Sequence, residues 1–504
     1  MNERDARKRK AGIVVAANRL PVVLHREAEE VRLTPSSGGL VTAMHPVLGE
    51  RGGTWIGWPG DTSGLSAAQV EEALHAVSEE QGFDLVPVML SEELRQAYYD
   101  GFANATIWPL FHDLQGRCRF DESYYKGYAE ANRRFAREIA RRTDKGDFLW
   151  VHDYHLMSVA HQLRQRRVDL RTAFFLHIPF PASDIFLKLP WRRQLLRHLL
   201  DFDFLGFQTQ RDRRNFLGCL VDLFPRFVIS KVGAMHSVVR EQHNTRIGVF
   251  PIGIDAAGFE ALACKDAVRE MEREIRESYA ERRLFLGVDR LDYTKGIPQR
   301  LHAFERALER FPHLREKITL LQLVVPSRED VEGYAPLREE IERIVGHING
   351  RFTSGNWIPV VLMVRSVSRE RLVALYRSAC TALITPLKDG MNLVCKEYCA
   401  VKTENDGVLI LSEFAGAAAQ LYKGALLVNP HDVEGMARGI EAAATMSSAE
   451  QERRMKLLRR NVVRHDIHWW VSGFLSAASG RGMRRKRDSA AFVAYPQLCD
   501  EEWL

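Results

Sequence analysis

The chain has 504 residues, 46% of them hydrophobic and 27% charged, enough for two or more domains with sizeable cores. Its net charge of +6 is exceeded by two short basic runs, Arg7 to Lys10 and Arg484 to Arg487. The folded body is therefore close to neutral, which argues against a nucleic-acid partner. No stretch approaches roughly 18 uncharged apolar residues, so no membrane partner is expected. The N-terminus runs from a charged segment straight into a strand, without the apolar core of a signal peptide, and a cytoplasmic location is expected. The seven cysteines contain no CxxC pair, which argues against a disulfide framework or a structural zinc site.

Strand-like apolar runs occur at residues 11–18, 147–153, 172–178, 284–289, 318–325, 381–386, 407–412 and 425–429. Amphipathic stretches such as "PQRLHAFERALERF" separate them, the pattern of parallel sheets covered by helices on both faces. The class is α/β. One sheet would hardly accommodate all these strands, and "FPIGIDAAGF" at 250–259 is a natural hinge, so two doubly wound domains facing each other across a cleft are expected. The expected boundaries are a basic tail over 1–10, a first domain over 11–249 and a second over 250–464. A C-terminal helix over 465–478 packs back on the first domain, and a polar tail covers 479–504.

Taken in chain order, "VVAANRLPV" places Asn18 and Arg19 at the C-terminal end of the first strand. "PSSGGLVTAM" sets the glycine pair Gly38 and Gly39 before a helix, where backbone N–H groups can approach a ligand closely. Trp58, Tyr99, Trp108 and Asp153 form an aromatic and carboxylate set suited to stacking on sugar faces and bonding sugar hydroxyls. "FFLHIPFP" ends a strand with His177 and two prolines, a rigid exit that aims the imidazole at the cleft.

In the second half, "GVDRLDYTKGIP" puts Arg290 and Lys295 in a loop ending at a helix start, two fixed cations that can hold a diphosphate without a metal ion. Arg328 in "VVPSRED" emerges past another strand toward the same anion site. In "PLKDGMNLVCKEY" a strand, a tight turn and a helix N-terminus follow one another, and Asp389 reads either as the helix cap or as a functional carboxylate.

The ordered set "ANRLPV", "SSGGLVTA", "WIGWPG", "FANATIWPLFH", "VHDYHL", "FFLHIPFP", "FPIGID", "GVDRLDYTKGIPQRLHAFE", "VPSRED", "INGRF", "PLKDGMNLVCKEY" and "LSEFAGAA" closely resembles the trehalose-6-phosphate synthases of glycosyltransferase family 20. These are retaining glycosyltransferases of two-Rossmann GT-B architecture. The resemblance implies UDP-glucose as donor and glucose 6-phosphate as acceptor, with no cofactor and no strictly required metal. It implies an acceptor-binding first domain and a nucleotide-sugar-binding second domain.

Residue by residue, the resemblance gives catalysis to Asp153, His177, Arg290, Lys295 and Asp389. It assigns the donor to Gly38, Gly39, His177, Arg290, Lys295, Val367, Asp389, Gly390, Met391, Asn392, Leu393, Val394 and Glu397. It assigns the acceptor to Arg19, Trp58, Tyr99, Trp108, Asp153 and Arg328. Asp389 and His177 would touch the transferred glucose, while Arg290, Lys295 and the amides beyond Gly390 would hold phosphate. A homo-oligomer is expected, and a separate phosphatase acting on the product. The competing readings are a relative with another phosphorylated acceptor, such as a glucosylglycerol-phosphate synthase or a pseudo-glycosyltransferase, a silent sugar-phosphate sensor, and a pyridoxal-dependent phosphorylase.

Overall fold

The computed structural model describes residues 12–27, 30–35, 39–62, 64–241, 243–279, 282–326 and 334–480. The chain forms two compact units, Met1–Phe250 with Val471–Leu504, and Pro251–Trp470. Both are α/β with a largely parallel sheet.

The first unit contains strands β1 (Ile13–Glu27), β2 (Glu30–Pro35), β3 (Gly53–Gly60), β4 (Asp84–Pro87), β5 (Phe148–His152), β6 (Arg171–Phe175), β7 (Phe204–Phe207), β8 (Val228–Val232), β9 (Met235–Arg240) and β10 (His243–Val249). Their order is β4-β3-β1-β5-β6-β7-β10-β9-β8, with β2 antiparallel to β1. The strands from β4 to β10 in this order are parallel, and β9 and β8 continue the sheet antiparallel. The β3, β5, β6 and β7 interiors are buried throughout, as expected of strands covered on both faces.

β1 departs from expectation. It does not end at Asn18 and Arg19 but runs on to Glu27, because beyond Ala16 its pairing with β5 stops and the hairpin with β2 takes over. Its register with β3 shifts between Ala16 and Arg19 and again between Arg19 and Leu24. Pro21 falls inside this irregular stretch, where a missing ladder N–H is tolerated. Arg19 is thus held within a strand, its carbonyl accepting a 3.1 Å bond from Trp55 Nε1.

The helix Ile467–Ala478 brings the chain back into the first unit. Phe474 is fully buried, stacked on Trp150 at 4.4 Å and set edge-on to Phe175, Phe204 and Phe250. Arg246 donates to the Ala477 and Ala478 carbonyls, closing the helix C-terminus.

The second unit holds β11 (Arg283–Arg290), β12 (Ile318–Val325), β13 (Val360–Val364), β14 (Thr381–Ile384), β15 (Val408–Ser412) and β16 (Leu426–Val428). The sheet order is β13-β12-β11-β14-β15-β16, all parallel. The order of strands reverses between β11 and β14, and in the first unit between β1 and β5, so each unit has one topological switch point. The stretch "PIGID" is tied within the second unit: Lys396 Nζ donates to the Ile252 carbonyl at 2.6 Å and Ile467 N–H to the Ile254 carbonyl at 3.0 Å. A Cβ at Gly253 would overlap the His465 and Asp466 backbone, so that position needs glycine.

Phe474→Ala empties a site walled by four aromatic rings and should cost about 3–5 kcal/mol. The denaturant midpoint of the full chain checks this, and a midpoint unchanged from wild type would contradict the packing role.

Candidate active site

The first unit gathers most of the residues expected to hold the acceptor. The Arg19 guanidinium lies 4.6 Å from the Trp58 ring and 5.5 Å from the Tyr99 ring, a cation over two aromatic faces. Tyr99 stacks on His155 at 5.7 Å, His155 meets Tyr154 at 3.9 Å, and Tyr154 meets Trp108 at 5.8 Å. One continuous aromatic chain therefore joins Trp58, Tyr99 and Trp108.

Two links in it, Tyr154 and His155, carry no role in the sequence reading. Their only signal is their place in "VHDYHL". Tyr99 itself lies on a π-helical stretch, Gln96–Ile107, which the sequence pattern does not reveal. Small residues allow it. An added Cβ at Gly101 would sit 2.6 Å from the Tyr124 ring, and one at Gly127 would sit 2.5 Å from Ala97 Cβ. The neighbouring Tyr98 hydroxyl donates to Asn18 Oδ1 at 2.8 Å, which ties this stretch to β1.

Asp153 and His177 leave the adjacent strands β5 and β6 and meet. Asp153 has φ 72°, and its Oδ1 accepts the His177 backbone N–H at 3.2 Å. The His177 ring bonds His152, Nδ1···Nε2 3.1 Å. Burial lowers the His177 pKa to about 3 and that of His152 well below the ordinary imidazole range, so both rings are neutral near pH 7. His177 can offer the site a hydrogen bond but not a positive charge.

In the second unit the expected donor residues converge on the β11–β14 switch point. Arg290 ends β11 exposed, and among the described residues it forms no ion pair. Lys295 Nζ lies 2.5 Å from Asp389 Oδ2, and Asn392 Nδ2 donates to the same oxygen at 3.2 Å. One of the two readings of Asp389, the helix cap, is excluded. Asp389 is not the cap of the helix Leu393–Val401; Asn392 is, its Oδ1 accepting the Cys395 N–H at 3.2 Å with its own backbone at φ 71°. The exits of two adjacent strands bring Lys295 and Asp389 into one ion pair.

The turn is clamped from a third side by the loop after β15. The Gly416 and Ala417 N–H groups donate to the Asp389 and Met391 carbonyls at 3.0 and 2.9 Å, and a Cβ at Gly416 would overlap the Gly390 carbonyl. "LSEFAGAA" owes its glycine to that contact. Gly390 and Met391 are buried, whereas Leu393 and Val394 are half-buried at the helix start.

Glu397 is half-buried further along the helix and accepts from the Tyr376 hydroxyl at 3.0 Å; desolvation raises its pKa. Val367 stands between β13 and the helix Arg369–Ser378, partly exposed. Gly39 opens the helix Gly39–Arg51. Gly38 and Arg328 lie outside the described residues. Among the described residues no group of three His, Cys, Asp or Glu could hold a metal ion.

Two outcomes are expected from this geometry. His177 has a folded pKa below its unfolded value, so the stability it gives is present above the ordinary imidazole pKa of 6.5 and is lost as pH falls from there toward about 3. His177→Phe should therefore reduce proton uptake on unfolding near pH 5 by about one proton, read from the pH slope of unfolding free energy. Asn392→Ala should cost about 1 kcal/mol for the lost cap and more for the positive φ, and Asn392→Gly less, by denaturant titration.

The sequence model of glycosyltransferase family 20 matches residues 11–479. The chain is 43% identical over 486 residues to the trehalose-6-phosphate synthase of Mycolicibacterium vanbaalenii, covering 95% of this chain and 98% of that one. It is 44% identical over 483 residues to the trehalose-6-phosphate synthase of Mycolicibacterium gilvum, 94% of each chain being covered. Among solved structures it resembles an α,α-trehalose-phosphate synthase (UDP-forming) from Burkholderia xenovorans in complex with glucose-6-phosphate. The TM-score is 0.83 at 34% identity, over 93% of this chain and 100% of that one. An E. coli trehalose-6-phosphate structure bound with UDP-2-fluoro glucose aligns at TM-score 0.83 and 34% identity, over 93% of this chain and 99% of that one.

Proposed function

Since this chain belongs to glycosyltransferase family 20 and carries its two-unit α/β fold, we propose that it transfers glucose from UDP-glucose to glucose 6-phosphate with retention, giving α,α-trehalose 6-phosphate and UDP. The observation that carries the reading is the meeting of Lys295 with Asp389 at the β11–β14 switch point, on the loop that follows the exposed Arg290 at the end of β11. Two cations carried by one strand exit and its loop can bind a diphosphate, and the carboxylate paired with one of them can accept hydrogen bonds from hydroxyls of the attached sugar.

In this reading Arg290 and Lys295 hold the donor diphosphate and stabilise the charge that grows on UDP as the anomeric C–O bond breaks. The two cations do work that a bound Mg²⁺ would otherwise do, so no metal is required. The acceptor hydroxyl attacks the anomeric carbon on the face from which UDP leaves, and its proton passes to the departing phosphate oxygen. Asp389 and the neutral His177 bond hydroxyls of the transferred glucose. Gly38, Gly39, Val367, Gly390, Met391, Asn392, Leu393, Val394 and Glu397 contact the rest of the donor, with Glu397 on ribose. Arg19, Tyr99 and Arg328 take the acceptor phosphate, and Trp58, Trp108 and Asp153 shape its sugar pocket. The same proposal places the enzyme in the cytoplasm as a homo-oligomer, with a separate phosphatase consuming its product.

The test is incubation with UDP-glucose and a panel of acceptors without divalent metal, following UDP release and identifying the product. Glucose 6-phosphate should be the acceptor used; turnover with glycerol 3-phosphate instead would overturn the acceptor assignment. Arg290→Ala should raise the donor KM and remove most turnover, and an unchanged rate would show that the diphosphate lies elsewhere.

A further inference from the structure

We propose that Tyr376 is a positioning residue: its hydroxyl, donating to Glu397 Oε2 at 3.0 Å, turns the carboxylate so that Oε1 meets the ribose of the donor nucleotide. The proposal deepens the function above and rests on its placing of Glu397 against ribose. Tyr376 lies on the helix Arg369–Ser378, and Glu397 on the neighbouring helix Leu393–Val401, which follows the Asp389 turn. Two further bonds join these helices: the Tyr398 hydroxyl donates to the Ala379 carbonyl at 3.4 Å, and Arg377 Nη1 to the Val401 carbonyl at 3.2 Å. They fix where the second helix stands, but not where the carboxylate of Glu397 points. Among the described residues only Tyr376 bonds that carboxylate, and Oε1 accepts no hydrogen bond.

The hydroxyl is itself held in place. Tyr376 is fully buried and its ring lies edge-on to Tyr398, centroids 6.4 Å apart, so packing sets where the phenolic oxygen stands. Burial pushes the phenol well above its ordinary pKa, and it keeps its proton. An ionised carboxylate only accepts, and the Tyr376 bond and the charge of Arg369 favour that form against the burial that raises the Glu397 pKa. Glu397 is half-buried rather than buried, so a sugar hydroxyl can donate to its second oxygen. A glutamate without this partner would spread over several rotamers and give up that freedom on binding; one held at Oε2 has given it up beforehand.

The competing view is that the bond only satisfies a buried phenol and rivets two helices. Affinities of the full chain for UDP and for 2′,3′-dideoxy-UDP, which lacks both ribose hydroxyls, separate the two. Wild type should favour UDP by roughly tenfold to a hundredfold. Tyr376→Phe, which removes one oxygen and keeps the ring, should lose most of that preference through weaker UDP binding, with dideoxy-UDP held within about twofold of wild type. Glu397→Ala should lose at least as much, and adding Tyr376→Phe to it should change the ratio by less than about twofold. Tyr398→Phe, which cuts the other tyrosine's bond, should keep the wild-type ratio. Parallel losses of both nucleotides in Tyr376→Phe, an unchanged ratio, a further fall in the double variant, the same loss in Tyr398→Phe, or a Tyr376→Phe chain that does not fold would overturn the proposal. Equal wild-type affinity for the two nucleotides would remove ribose from Glu397 and overturn the proposal with it, while turnover of UDP-glucose would still test the function. A wild type that releases no UDP from UDP-glucose yet shows the expected ratios would overturn the function and leave Tyr376 in its role.

Discussion

One buried cation holds the second unit's switch point in shape. Arg300, fully buried on the helix Ile297–Arg310, pairs with Asp289 at 2.5 Å and donates to Gln322 Oε1, Thr385 Oγ1 and the Lys295 carbonyl. Its partners come from β11, from β12, from the exit of β14 and from the loop that carries Lys295. Desolvating such a pair is expensive, and the expense is offset only when the remaining donors are satisfied. Here the guanidinium fork is satisfied by groups that must all converge for the site to exist. The pair is therefore better understood as a device that fixes three strands and the Lys295 loop against one another than as a source of net stability. Close backbone contacts add to it: Leu387 N–H donates to the Thr294 carbonyl at 2.8 Å, and Gly296, at φ 64°, sits where an added Cβ would lie 2.5 Å from the Thr385 carbonyl.

The first unit builds its switch point largely from neutral rings, with the Asp153 carboxylate at the β5 exit. Its fixed elements are an imidazole pair, a chain of aromatic rings and a π-helical stretch locked by glycines, with Arg19 as the cation at the end of the aromatic chain. The difference follows from what each side is proposed to grip. A diphosphate is held by charge, so its scaffold must fix cations against the cost of burial. The sugar of the proposed acceptor would be held by shape and by hydroxyl hydrogen bonds, which neutral rings in fixed planes serve at lower desolvation cost, and its phosphate by the Arg19 cation at the end of the aromatic chain.

The long parallel strands were legible because burial on both faces writes itself as an unbroken apolar run; β12 is matched residue for residue at 318–325. Strands that escaped notice are those whose sequence serves two ends. β3 reads as a display of tryptophans, and β7 is only four residues long, with a glycine that makes room for Phe474 and Phe175. The antiparallel edge β8–β10 alternates in burial and lacks that signal. At the site, residue types were readable but pairings were not. Nothing local in "PLKDGMNLVCKEY" tells that the carboxylate of Asp389 faces a lysine 94 residues earlier in the chain. Asn392 as the cap is legible, since asparagine directly before an apolar helix is the ordinary cap signal, whereas Asp389 stands a further three residues out.

The Lys295–Asp389 pair also balances charge at the switch point. A lone lysine held at a strand exit, with helix dipoles beside it, would be costly to maintain without a counter-ion. Asp389 supplies one, and Asn392, by donating to the same oxygen, keeps the carboxylate in place whether or not the ammonium stays. The turn that carries the carboxylate is held independently of the lysine, since the Gly416 N–H of the β15 loop donates to the Asp389 carbonyl.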